Sequence, residues 1–436
     1  MPNGNYNLGA VACLNENQSF KYEVHNKMNT RHKSLLTIGT LIVSSQVHSL
    51  ESTGYIMESG LEVLPLFEAG YSYDDNIGRY SNSLKADSSS LFVAKPGVVL
   101  KSDKNGNEYQ VAYQLDTGRY TSSSDDNYTD HAFTTNNFIR FSRRHGLGLD
   151  YAFLKEHEAR GTGVASGDAI ASAINSPVKY KMHDARAVYV YGAEGAKARI
   201  EAAIDYRNLK YTNFRDGTTF GGSVVNTRFK DYTQTGLDLA FYYQMFPATK
   251  VLVQADLNDR KFELSDTSGN SQDYTDNFLY LGADWDISGK TTGKLRFGIQ
   301  DKNYDSSTRK DFNGFSWDLN LEWKPTYHSI VNVTGGQNTT DADQGFTDIK
   351  QTSAKVSWKH YWLTNVYSDL SYSYLQKDYS ESTREDELTN SVFNLGYEIY
   401  DRVELVAGWS HRKNDSPLST YSYDQNIWSI NANVVF

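Results

Sequence analysis

The sequence has 436 residues, with 43 Lys and Arg against 53 Asp and Glu and a formal net charge of −10. This acidic balance argues against nucleic acid as a partner, and no apolar run beyond the N-terminal region is long enough for a membrane helix. The 32 Tyr and 20 Phe against 7 Pro favour strands as the main elements. A single Cys excludes an internal disulfide framework.

The first predicted element is a secretory signal peptide at residues 28–49. Arg31 and Lys33 supply the positive charge that precedes an apolar core at 35–43. Small residues follow this core, and we expect cleavage after Ser49. The protein is therefore expected to be exported.

The segments on either side of the signal peptide have separate interpretations. Residues 1–27 lie upstream of Met28, which is itself a suitable start, and we interpret them as a mis-called leader. The alternative is a genuine long signal. Residues 50–60 are expected to form a short periplasmic segment, and 61–436 the folded domain.

From about residue 60 onward, stretches that alternate apolar and polar side chains recur between polar breaks. In the stretch 317–323, "WDLNLEW", Trp and Leu occupy one face and Asp318, Asn320 and Glu322 the other. Such alternation has two interpretations. One is a soluble antiparallel sheet with its apolar face inward; the other is a membrane barrel with its apolar face toward lipid.

Three features favour the barrel. The stretches are longer than the usual five or six residues of a soluble strand. Short breaks such as 324–326 alternate with long ones such as 159–177, as do the periplasmic turns and outer loops of membrane barrels. Trp residues lie near the short breaks, where an interfacial aromatic belt belongs. They are Trp285, Trp323, Trp358 and Trp362.

We therefore predict an all-β fold: a transmembrane, antiparallel, up-and-down β-barrel of about 18 strands with short periplasmic turns and longer extracellular loops. An even number of strands places both termini on the periplasmic side. The predicted strands are 61–75, 89–101, 107–120, 129–144, 146–159, 178–193, 196–211, 228–245, 249–263, 273–286, 290–303, 312–324, 326–337, 347–361, 363–377, 386–400, 402–413 and 420–436.

The chain ends in the alternating stretch "WSINANVVF", residues 428–436. The pattern predicts a last strand whose apolar face, from Trp428 to Phe436, meets lipid and which pairs with the first strand. A terminal aromatic residue resembles the assembly signal of bacterial outer-membrane barrels, so Phe436 is the candidate signal and the barrel assembly machinery an expected partner. The alternative is a buried edge strand of a soluble protein.

Charged side chains on the polar strand faces are predicted to point into the lumen, because a lipid-facing charge at mid-depth costs about 2–4 kcal/mol. They either form an ion-pair lattice or line a conduit for a polar solute, and the two interpretations are compatible. The candidate lumen-lining residues are Asp150, Glu156, Arg199, Glu201, Asp205, Arg207, Asp256, Arg260, Lys294, Arg296, Asp318, Glu322, Lys355, Lys359, Glu404 and Arg412.

The long break 159–177 is rich in small residues, with Ala169, Ile170 and Ile174 at helical spacing. It is either an inward-folded constriction or a surface loop with one helical turn, and the sequence leaves both open.

Enzymatic motifs are weak. His157 beside Glu158 lacks the second His of a zinc motif, and the chain contains neither a nucleophile elbow nor a P-loop. The Asp-rich stretch 341–345 is interpreted as solvated loop charge rather than a calcium site. We expect no enzyme activity, no cofactor and no metal.

Two stretches, "LPLFEAGYSYDDNIGR" at 64–79 and "YAFLKEHEARG" at 151–161, together with the strand count, resemble the putative beta-barrel porin 2 family. The resemblance spans nearly all of residues 55–436. It implies a barrel integral to the bacterial outer membrane and associated with exopolysaccharide and capsule production. It also implies a periplasmic polysaccharide export protein as a possible partner, and it carries over no catalytic residues.

The predicted function is an outer-membrane pore, surrounded by outer-membrane lipid, that serves as the exit conduit for a secreted exopolysaccharide or capsule. The alternatives are a general diffusion porin for small hydrophilic solutes, a barrel enzyme and an adhesin-like barrel. An enzyme would need a Ser or Asp clustered with a His at the barrel rim.

Overall fold

The computed structural model describes residues 12–13, 21–22, 54–193, 195–287, 289–345 and 348–436. Ala12–Cys13 and Lys21–Tyr22 form a two-residue antiparallel pair. The predicted signal peptide, 28–49, and its cleavage site lie outside the described residues.

Eighteen long strands form one closed, antiparallel barrel in which each strand pairs with its neighbours in the chain. This architecture confirms the predicted fold class. The strands are β1 Glu62–Asp74, β2 Ser89–Lys104, β3 Asn107–Tyr120, β4 Tyr128–Arg140, β5 His145–Glu158, β6 Val178–Tyr191, β7 Ala198–Tyr211, β8 Tyr232–Phe246, β9 Thr249–Phe262, β10 Tyr274–Ile287, β11 Thr291–Tyr304, β12 Phe312–Thr326, β13 Ser329–Asp341, β14 Asp348–Leu363, β15 Val366–Tyr379, β16 Glu385–Ile399, β17 Val403–Asp415 and β18 Tyr423–Val435.

The barrel closes between its last and first strands. β18 pairs with β1 from Ile427 opposite Asp74 to Val435 opposite Leu66. The ladder continues past the end of β18, where the Phe436 backbone N–H donates to the Pro65 carbonyl at 3.1 Å. Both open edges are thereby removed, as a membrane barrel requires.

Connections at the two ends of the barrel differ in length. At the end that holds the N-terminal side of β1, turns such as 105–106 and 364–365 contain only two residues between strands. In the first of these, Asn105 and Gly106 have φ values of 58° and 77°. This is the Asn-Gly chemistry that a tight hairpin turn requires. At the opposite end, the connections are longer, and loops such as 159–177 and 212–231 carry most of the short elements.

Among the described residues from 54 onward, the elements outside the eighteen long strands are one α-helix, five 3₁₀ turns and two small strand pairings. No helix among the described residues is long and apolar enough to cross a membrane. Helix α1 is Asp168–Ala171, and the 3₁₀ turns are Ser124–Asp126, Gly163–Ala165, Thr227–Lys230, Tyr400–Arg402 and Ser419–Tyr421. Thr218–Phe220 pairs with Ser223–Val225, and Tyr55–Ile56 pairs with the start of β1.

The two faces of the barrel wall reverse the polarity of a soluble protein. Leu281 on the outer face is 56% exposed, whereas Lys302 and Glu404 on the other face are fully buried. An apolar exterior with charge inside is stable only against lipid. Trp323 and Trp362, near short turns, are also exposed on the exterior, consistent with an aromatic belt.

Candidate functional site: the barrel lumen

Contacts between non-adjacent strands define the inner face of the barrel. Arg260 on β9 donates to Asp341 at the end of β13 at 2.6 Å, and Lys302 on β11 lies 2.6 Å from Asp348 on β14. Only the concave side of a closed barrel brings such strands within reach of a side chain. Side chains in register with Arg260 and Lys302 therefore point inward.

The strand registers place all sixteen predicted lumen-lining residues on this inner face. Their role in solute passage stays a prediction. Those with less than a tenth of their surface exposed are Asp150, Glu156, Glu201, Arg260, Lys359 and Glu404, and the remaining ten are Arg199, Asp205, Arg207, Asp256, Lys294, Arg296, Asp318, Glu322, Lys355 and Arg412.

Many of these charges are paired with one another. Arg186 donates to Asp205 at 2.5 Å and to Asp238 at 2.6 Å, linking β6, β7 and β8. Arg207 on β7 donates to Asp184 on β6 at 2.5 Å. Guanidinium groups suit such contacts because their planar fork can serve two carboxylate oxygens. The result is a cross-strand lattice of opposite charges along the wall.

Sequence reasoning named only part of this lattice. Lys95 on β2 lies 3.4 Å from both Glu68 on β1 and Asp116 on β3. These residues, like Arg186 and Lys302, were absent from the predicted set. Each lies an even number of residues from polar positions of the same strand. Counting every second residue along each strand would therefore have identified them as inward-facing.

Loop 159–177 folds inward over the end of the barrel that carries the long loops. Ile170 and Ile174 are buried against Leu154, Tyr180 and Met182 of the inner wall. Burial in this apolar cluster shields Ile170 and Ile174 from water, which favours the inward position of the loop. Of the two interpretations left open by the sequence, the structure shows the inward-folded one.

Polar contacts tie the loop to two other parts of the rim, one of which is held by a third. Asp168 accepts hydrogen bonds from the Ser81 backbone N–H at 2.9 Å and from its hydroxyl at 2.5 Å. On the far side, the Gln344 amide donates to the carbonyls of Val164 and Ser166 at 3.0 and 2.8 Å. The Tyr421 hydroxyl in turn donates to the Gln344 side chain at 3.1 Å. The loop therefore spans the mouth rather than resting on one wall.

Below the loop lies open space of about 1930 Å³. Its wall carries charges of both signs, including Arg207, Arg260, Glu156 and Glu158. At its upper edge the Lys230 ammonium donates to the carbonyls of Ala342 and Gly345 at 2.8 and 2.9 Å. Burial lowers the pKa of Lys230, although nearby carboxylates oppose this shift.

His157 also borders this space. Its Nδ1 lies 2.8 Å from the Asp130 carboxylate, and its ring stacks on Tyr128 with centroids 4.2 Å apart. Among the described residues, no three His, Cys, Asp or Glu side chains are grouped so as to hold a metal ion.

The family comparison covers almost the whole barrel. The model of the putative beta-barrel porin 2 family matches residues 60–436. No curated protein is similar to this chain in sequence.

Several solved structures are similar to this chain at low sequence identity. OccK2 (OpdF) from Pseudomonas aeruginosa has a TM-score of 0.48 and 8% identity. The match covers 88% of this chain and 100% of OccK2. A BenF-like porin from Pseudomonas fluorescens Pf-5 has a TM-score of 0.47 and 10% identity, with coverage of 88% and 100%. The FrpB iron transporter from Neisseria meningitidis has a TM-score of 0.45 and 10% identity. There the match covers 82% of this chain and 64% of the transporter.

Proposed function

The chain belongs to the putative beta-barrel porin 2 family and is a porin-like channel of the outer membrane, and we propose that it passes small hydrophilic solutes by diffusion. The proposal rests on one observation: the inner wall of the barrel is charged, and the lumen is narrowed by loop 159–177, which is bound to both sides of the mouth. An 18-stranded barrel is wide enough for an aqueous channel. Loop 159–177 occupies part of that width, which favours small solutes.

The distribution of charge supports passage rather than capture. Wall charges of opposite sign are paired, as Arg186 is with Asp205 and Asp238, so a passing solute meets many weak partners. Conduction requires that binding be strong enough to admit a solute but weak enough to release it. We assign no catalytic step to this wall.

Exit of a secreted polysaccharide, implied by the family resemblance, is the second candidate. Alternating charges and amides along the inner face offer exchangeable hydrogen bonds over its whole length, which would suit a sugar polymer. A polymer occupies the channel from end to end, however. This function therefore requires loop 159–177 to leave the mouth.

Two measurements separate the candidates. In proteoliposomes that contain the full chain, we expect swelling with small sugars and amino acids at rates that fall with solute size, against protein-free liposomes as the control. In a gene-deletion strain, surface polysaccharide should remain normal. If surface polysaccharide is lost while its synthesis continues, and no small solute enters the liposomes, the export function replaces the one proposed.

A further inference from the structure

A pocket rich in basic side chains opens at the short-turn end of the lumen. It lies between the β4–β5 turn and the β6–β7 turn and is open to solvent, with about 560 Å³ of empty space that includes part of this solvent. Four of its lining residues, Phe138, Val190, Tyr242 and Gln244, form its floor on the inner face. We name the pocket the basic vestibule, and its cationic residues are Arg140, Arg143, Arg144, Arg199 and Lys250.

Several donors in the basic vestibule have no acceptor among the described residues. Arg143 and Arg144 are exposed, and neither forms an ion pair with any described residue. Within the part of the chain that the structure describes, the Tyr242 hydroxyl has no hydrogen-bond partner, although this side chain is only 1% exposed. The Nε of Arg199 is buried and also lacks a partner among these residues, while another of its nitrogens pairs with Glu201.

The charged residues among the described lining of this pocket are all basic. Acidic groups lie next to two of them, because Glu201 pairs with Arg199 and Asp284 is the ladder partner of Lys250. No Asp or Glu is among the described residues that line the pocket; Glu194, in the β6–β7 turn, lies outside the described residues. Positive charge concentrated in a cleft attracts anions even when the whole chain is negative. Guanidinium groups bind planar carboxylates and phosphates through paired hydrogen bonds.

A buried hydroxyl that lacks an acceptor costs free energy unless a ligand or water satisfies it. Arg143, Arg144, Arg199 and Tyr242 all line the pocket. An oxyanion bound there would therefore meet donors that the described residues leave without an acceptor. Neutral sugars would satisfy the hydroxyl but not the guanidinium charges. The chemistry of the pocket therefore selects for a negatively charged oxygen group.

We propose that the basic vestibule is an oxyanion-binding site through which carboxylate- or phosphate-bearing solutes enter or leave the channel on the periplasmic side. This inference rests on the proposed diffusion function and names the class of solute that the channel handles.

The test is single-channel recording of the full chain in planar bilayers, with inorganic phosphate or succinate added to one chamber at a time. We expect either anion to reduce the current in a saturable way from one side only. The double variant R143A/R144A should raise the anion concentration needed for half-block about tenfold. A loss of this size is expected when roughly one charge-assisted hydrogen bond to the anion is removed.

The matched control is K85A/K310A. It removes the same two charges from exposed positions in the long loops at the opposite end, and its block should equal that of the unaltered protein. Block by phosphate alone or by succinate alone would narrow the ligand to that oxyanion.

Absence of block by both anions, with normal conductance, would overturn the oxyanion site and leave the diffusion channel standing. Equal weakening in both double variants would also overturn it, because the effect would then report net charge. A chain that inserts but shows no conductance would instead contradict the proposed function itself.

Discussion

The Tyr367 hydroxyl on β15 donates to Glu404 on β17 at 2.6 Å, across the intervening strand β16. The ring passes over Gly396, its ladder partner on β16. A Cβ at Gly396 would lie 2.1 Å from the ring Cζ. Glu404 also accepts from the Asn433 amide at 2.9 Å, so this bridge connects β15, β17 and β18 on the inner face.

The variant G396A should displace the Tyr367 ring and break its hydrogen bond to Glu404. Overpacking of this kind costs about 1–3 kcal/mol, and we expect that loss in the free energy of unfolding measured with urea in lipid vesicles. The control is G148A on β5, where the nearest contact of the added Cβ would be an ordinary 3.7 Å. Equal stability of both variants would show that the ring has room to move aside.

Replacing Lys302 with Met should destabilise the barrel strongly. The Lys302 ammonium is fully buried and lies 2.8 Å from Asp341 and 2.6 Å from Asp348. Removing one partner of a buried ion pair typically costs about 3–5 kcal/mol, because the remaining charge is left uncompensated. The control K261M removes a half-exposed lysine that pairs with Asp305, where at most about 1 kcal/mol is expected. Similar urea midpoints for both variants would contradict this expectation.

The variant D168A should loosen loop 159–177, because it removes both hydrogen bonds from Ser81. We expect larger current fluctuations in planar bilayers, and a higher mean conductance when residues 163–175 are deleted altogether. The control D216A changes an exposed aspartate in another long loop. Unchanged conductance in the deletion variant would show that the loop does not limit passage.

Deleting Phe436 should impair insertion into the outer membrane, which heat-modifiable gel migration and outer-membrane yield report. Deletion also removes the backbone hydrogen bond to Pro65, so F436A, which keeps this bond, isolates the role of the ring. Ile430→Val is a suitable control because Ile430 is exposed on the outer face. Asn433 would not serve, since its amide is buried against Glu404. Normal yields of F436A would remove the assembly role of the aromatic side chain.

The predicted cleavage after Ser49 remains to be measured. N-terminal sequencing of protein extracted from outer membranes should begin at Leu50. Detection of Cys13 in the mature protein would contradict both the cleavage site and the interpretation of residues 1–27 as a mis-called leader.

The barrel was predictable because each strand carries its own period-two pattern. β3 was predicted at 107–120 and spans Asn107–Tyr120. β13 was predicted at 326–337 but runs over Ser329–Asp341. Its final residues lack apolar alternation yet remain paired with β14, as Thr339 is with Lys350. Backbone pairing beyond the lipid-facing region leaves no hydrophobic pattern in the sequence.

The inward fold of loop 159–177 could not be decided from the sequence. The spacing of Ile170 and Ile174 showed that they need an apolar partner, but not where it lies. Tyr180 and Leu154, which supply it, belong to the inner face, where polar residues were expected. Likewise, the basic vestibule brings together turns about fifty residues apart, and no local motif reveals such a juxtaposition.

The seam between β18 and β1 sets the order of events in biogenesis. The hydrogen bond from Gln425 to Asp74 joins residues 351 positions apart, whereas the other seventeen ladders join consecutive strands. Hairpins between consecutive strands can form quickly. The β18–β1 pairing can form only when the full chain is present, and it has the largest entropic cost of loop closure. Until this pairing forms, the backbone N–H and C=O groups along the two edge strands remain unpaired and exposed. A nascent chain stalled before its last strand would therefore be a template for aggregation, and periplasmic holdases should bind it longer than the complete chain.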